Sequence, residues 1–120
     1  MMKFYKFDGN KEIYPLLAGD LPAGATEVVA NKTEAAVEKH IPEVKKVEGG
    51  LEVCVGSVIH PMIDVHYIEW VLLANGSEVL IKTFKPGEEP KAFFRLDSLK
   101  EGAEVYAFCN IHGLWSKTID

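Results

Sequence analysis

A chain of 120 residues, 48% hydrophobic and 26% charged, has the composition of one soluble globular domain, with or without a small appendage. Folding at this length removes about 65% of the unfolded chain's surface from water, so a real core can form. Its 13 basic and 18 acidic residues leave a net charge of −5, which argues against nucleic acid as the main partner, since that needs a basic face, and weakly against an anionic membrane surface.

The two cysteines, Cys54 and Cys109, are too few for a disulfide scaffold. The opening "MMKFYKFDGNKEIY" lacks the apolar run of a secretory signal, and no segment approaches the ~20 apolar residues of a transmembrane helix. The expectation is a cytoplasmic protein with reduced thiols.

In chain order, residues 1–32 are the least regular. "KFYKF" (3–7) and "KEIYPLL" (11–17) read as short strands around a "DGN" turn, and "AGDLPAGAT" (18–26) reads as a loop. "NKTEAAVEKHIP" (31–42) predicts a short helix. Asn31 and Glu34 have capping-box spacing, Thr33 is an alternative cap, and Pro42 ends the helix near Ile41.

Seven strand-like segments follow, at 43–49, 51–58, 66–74, 77–84, 90–96, 104–110 and 114–119. Turn signals separate them at Gly49-Gly50, Asn75-Gly76, Pro86-Gly87 and Glu101-Gly102. The predicted fold is all-β: an immunoglobulin-like antiparallel β-sandwich of about seven strands, with a short helix and a small N-terminal extension.

The four histidines, His40, His60, His66 and His112, all fall at predicted element ends. Pro61 breaks the chain beside His60, and His66, six residues on, would share a face with His60 in an extended segment. Cys109 and His112 share one turn. Taken alone, Cys-x-x-His is compatible with zinc, haem attachment or coincidence. Cys54, between two valines, reads as a buried free thiol. If four imidazoles and one thiolate converge, a closed structural zinc site is a poor fit, because such sites are four-coordinate. A redox-active iron with one open position fits better.

Three blocks, "EKHIP" (38–42), "HPMIDVHYIEW" (60–70) and "CNIHGLW" (109–115), contain every histidine of the chain. In order and spacing they resemble the superoxide reductases of the desulfoferrodoxin and neelaredoxin group over roughly residues 28–119. The resemblance implies one mononuclear iron, with His40, His60, His66 and His112 around the equator and Cys109 as axial thiolate. It implies that Glu38 takes the sixth position in the ferric state only, and that Lys39 lies beside that position with its positive charge. It also implies one-electron reduction of superoxide to hydrogen peroxide, re-reduction by rubredoxin or a similar donor, and a dimeric or tetrameric homo-oligomer.

Desulfoferrodoxins carry an N-terminal module holding a second iron through four cysteines, and residues 1–53 here contain none. The expected division is therefore a degenerate N-terminal segment, 1–32, with a packing or subunit-interface role, and an iron-binding β-sandwich domain, 33–120. An alternative is a cupredoxin-like copper electron-transfer protein, a sandwich with two histidines, one cysteine and an axial methionine; Met62 is the methionine between two of the histidines. A non-catalytic binding module with incidental histidines is a third reading.

Overall fold

The computed structural model describes residues 2–119. Its elements are strands β1 (Lys3–Phe7), β2 (Tyr14–Leu16) and β3 (Ala25–Val28), helix α1 (Val37–His40), then β4 (Pro42–Val47), β5 (Gly50–Val55), β6 (Ile68–Asn75), β7 (Glu78–Thr83), β8 (Lys91–Arg95), β9 (Glu104–Cys109) and β10 (Gly113–Thr118). The seven strands expected after residue 42 are β4 to β10.

Two antiparallel sheets, ordered β4-β5-β8 and β10-β9-β6-β7, form a sandwich. In immunoglobulin lettering these are A-B-E and G-F-C-C′. Alternation on β5 turns Leu51, Val53 and Val55 inward, where they meet Val71 and Leu73 of β6 and Val105, Ala107 and Cys109 of β9. The opposite faces of β6 and β9 are buried as well. Leu72, Tyr106 and Phe108 form a second cluster with Phe4, Ile13 and Leu114. Strand β9 is apolar without alternation because it is covered on both sides.

That second cover is the N-terminal sheet, ordered β2-β1-β3, and it corrects the expectation of a two-strand, mostly irregular segment. β3 begins within the stretch read as a loop. Tyr5 of β1 pairs with Tyr14 on one side and Glu27 on the other, which gives β1 partners along both edges. A lone hairpin would be marginal; a third strand and an apolar floor make this layer stable.

The helix is also shorter than expected, four residues long, and its N-cap Ala36 has no side-chain capping bond. Asn31 is withdrawn from capping. At φ 64° it accepts a hydrogen bond from the Ser116 amide (2.9 Å) and donates to the Ser116 carbonyl (3.3 Å), which ties the segment to β10. A tertiary partner has replaced a local one. Cys54 is free but only half-buried, on the outer face of β5, because its neighbours Val53 and Val55 take the inward positions.

Candidate metal centre

Three connections at one end of the sandwich carry the histidines. His40 ends α1 and is buried at 2% exposure. Its Nδ1–H donates to the Ala36 carbonyl at 2.7 Å, which leaves Nε2 as a bare lone pair directed inward. α1 is bolted to the loop after β5 by Val58 N–H and Ser57 Oγ–H, both donating to the Glu38 carbonyl at 2.9 and 3.2 Å. This approach requires glycine at 56, where a Cβ would stand 2.7 Å from the Lys39 carbonyl carbon.

His60, also 2% exposed, follows that loop, and its Nδ1–H donates to the Pro61 carbonyl at 2.7 Å. The segment to His66 is not extended. Ile63 and His66 exchange two backbone hydrogen bonds of 3.0 Å, a tight hairpin that reverses the chain. His60 and His66 therefore meet by chain reversal, not by the strand parity expected from their spacing. A register shift between Ile68 and Trp70 then sets Ile68 opposite Cys109.

Cys109 ends β9 fully buried, and His112 lies in the turn to β10. The His112 amide donates to the Cys109 sulfur at 3.4 Å, and Trp115 Nε1–H donates to the His112 carbonyl at 3.1 Å. The Trp115 ring stacks on His40 with centroids 4.8 Å apart.

The four imidazoles form a square. Going round it, the centroid distances are 4.7 Å (His40–His60), 4.6 Å (His60–His66), 5.1 Å (His66–His112) and 4.9 Å (His112–His40), with interplanar angles of 75–88°. The His40–His66 diagonal is 6.4 Å, longer than every side. Ligand atoms of His40, His66, Cys109 and His112 all lie within 4.8 Å of one another; His60 falls outside that set but has its Nε2 3.2 Å from His40 Nε2.

This donor set fits a cation. His40 Nε2 and His60 Nε2 are both acceptors, since each ring has already spent its proton on a carbonyl. His112 Nδ1 approaches His40 Nε2 to 3.1 Å, and His66 Nε2 is buried with no hydrogen-bond partner among the described residues. Lone pairs held this close without a shared positive charge repel; a metal ion satisfies them together.

The electrostatics agree. Burial pushes His60 from the ordinary 6.5 down to about 4 and lowers His40 and His66, so these rings stay neutral and able to ligate. Burial raises the Cys109 thiol, opposed by the amides of His112 and Ile111. A metal must displace that proton, which makes its affinity pH-dependent.

Glu38 and Lys39 lie on the exposed side of α1. Glu38 acts on His40, and the Lys39 charge reaches both His40 and His66. Met62 is not among the imidazoles: it packs against the core, and its sulfur accepts from the Ile68 amide at 3.3 Å. With four imidazoles in place of two and the methionine elsewhere, the cupredoxin-like alternative is not supported. Sequence reasoning passed over Asn110, which bonds the Cys109 turn to the His66 hairpin; its position between two candidate ligands was the available signal.

A sequence model of the desulfoferrodoxin family matches residues 32–118, a span that includes all five converging side chains. The chain belongs to the desulfoferrodoxin family. It is 41% identical over 103 residues to a desulfoferrodoxin of Clostridium acetobutylicum, covering 83% of this chain and 80% of that one. A Pyrococcus horikoshii protein named superoxide reductase is 36% identical, covering 68% and 86% of the two chains. The crystal structure of the superoxide reductase from Treponema pallidum superposes with a TM-score of 0.79 at 32% identity over 98% of both chains, so the N-terminal sheet lies within the shared fold. The one-iron superoxide reductase from Giardia intestinalis covers 69% of this chain and 98% of its own, at TM-score 0.61 and 31% identity. As a desulfoferrodoxin the chain is of the one-iron type: its cysteines, Cys54 and Cys109, cannot supply four thiolates to a second iron.

Proposed function

We propose that the protein is a superoxide reductase whose single iron would be held by the imidazoles of His40, His60, His66 and His112 and by the Cys109 thiolate. The observation that carries this reading is the square of imidazoles beside a buried thiol. Superoxide, one electron and two protons give hydrogen peroxide. The iron supplies a one-electron couple and an open coordination position.

The chain's residues do the rest. As a ligand, the Cys109 thiolate would donate charge to the iron and favour release of an electron. Burial of His40 and His60 keeps water from these two rings. Lys39 draws an anion toward a protein of net charge −5, an effect on encounter rate that salt weakens. Glu38, its neighbour on the exposed side of α1, would hold the iron as a further ligand in the oxidised state only.

The reaction needs an electron donor, and the proposed one is rubredoxin or a similar small carrier. Val37, Val58, Ile59, Ile63, Val65 and Ile111 are all at least half exposed, and all lie on the ligand-bearing connections. Such an apolar surround suits a protein donor. The reading extends to a cytoplasmic homo-oligomer, in which the 1–32 segment packs over the 33–120 domain and contributes to subunit contact. Among the described residues, no helix is long and apolar enough to cross a membrane.

Metal analysis with oxidised and reduced spectra, combined with superoxide consumption, tests the reading. One iron per chain, a thiolate-to-iron band in the oxidised protein and reductant-dependent consumption are expected. Stoichiometric oxygen release would instead mean dismutation, and stoichiometric copper with an intense blue band would remove iron altogether.

A further inference from the structure

The imidazoles are not oriented alike. His40 and His60 are each fixed by an Nδ1–H bond of 2.7 Å to a backbone carbonyl, the usual device that holds a metal-ligating ring. His112 sits in a turn braced at both ends, its amide donating to the Cys109 sulfur and its carbonyl accepting from Trp115 Nε1. Among the described residues no such bond fixes the His66 ring, and its buried Nε2 has no partner. Its orientation depends on the backbone that carries it.

That backbone is held by Asn110. The Asn110 Oδ1 accepts from the Tyr67 amide at 3.0 Å, and its Nδ2 donates to the Val65 carbonyl at 3.1 Å. Its own amide donates to the Tyr67 carbonyl at 3.2 Å. One residue thus grips both chain neighbours of His66 from the turn that carries Cys109 and His112. We propose that Asn110 is the positioning residue for His66, replacing at the backbone the ring hydrogen bond His66 lacks, and locking this imidazole in register with the thiolate turn. The inference rests on the metal-centre reading above and adds a residue to it.

The coupling is selective, which makes it measurable without turnover. Cobalt(II) is titrated into metal-free protein, and its affinity and thiolate-to-cobalt band are read. Asn110→Ala should weaken cobalt binding by about 10–100-fold, the usual cost of losing an orienting partner, while the band from Cys109 remains. Asn110→Asp, which keeps the acceptor for Tyr67 N–H and loses the donor to Val65, should lose less. In a His66→Ala background Asn110→Ala should add almost nothing, whereas in a His60→Ala background it should keep its full effect. An undiminished loss in the His66→Ala background, or wild-type affinity in both Asn110 variants, overturns the proposal. Should Asn110→Ala fail to fold, Asn110→Asp carries the same cycle. Wild-type protein that takes up no cobalt would sink the metal-centre reading itself, a result distinct from normal binding with indifferent Asn110 variants.

Discussion

Phe4 of the N-terminal sheet and the pair His40 and His60 are buried to the same degree, at 1% and 2% exposure, but by different physics. Phe4 stacks on Trp70 at 5.8 Å and tilts against Tyr106 at 4.6 Å, so its burial needs only a complementary apolar floor. The two histidines are buried with their Nε2 lone pairs 3.2 Å apart, an arrangement that needs a cation to be comfortable. The N-terminal layer should therefore contribute mainly stability, and the ligand-bearing end mainly chemistry. The two should be separable by mutation.

The largest expected effect falls at the ligand end. Cys109→Ser should abolish the thiolate-to-iron band, while Cys54→Ser, on the outer face of β5, should leave it untouched; absorption spectra of the iron-loaded variants decide. Equal behaviour would mean that burial is not what separates the two thiols.

The converse change is Phe4→Ala, which should lower unfolding free energy by about 3–5 kcal/mol in denaturant titrations while leaving the position of the same band unchanged. A shifted band would show that the layer and the ligand end are mechanically one unit.

Acid should act on the ligand end of the metal-free protein. Burial lowers His60 from 6.5 to about 4, so between those values the unfolded chain binds a proton that the folded chain refuses. Stability should fall as pH drops from about 6.5 to about 4 and then level off. Thermal melts across this window should show the slope, reduced in His60→Gln; an unchanged slope in that variant would assign it elsewhere.

The smallest effect is at the rim. Lys39→Ala should slow the reaction with superoxide by about tenfold or less and flatten its dependence on salt, as read by pulse radiolysis at several ionic strengths. An unchanged rate would remove Lys39 from the mechanism.

The sandwich was legible because its strands are punctuated. Gly76 and Ser77 turn β6 into β7 with Gly76 at φ 63°, a conformation glycine adopts without help from the rest of the chain, while Asn75 closes β6 opposite Glu78. The N-terminal sheet was under-read because β3 is short and pairs with β1 across about twenty residues of chain. The helix was over-read because Asn31, a plausible cap in isolation, finds a better partner in Ser116, 85 residues away. The same logic holds at the ligand end. The three motifs exposed the candidate residues, but the pairing of His60 with His66 by parity failed against the hairpin at Ile63–His66.

Residue types, strand periodicity and turn chemistry thus determined by themselves the sandwich, the short inventory of candidate ligands and the exclusion of a second thiolate-bound iron. Tertiary structure alone decided which lone pairs face one another, which thiol is buried, and that Asn110 grips the His66 hairpin. The reason is physical. Periodicity and turns are set by neighbours along the chain, whereas ring orientation and burial are set by groups brought together only when distant loops pack.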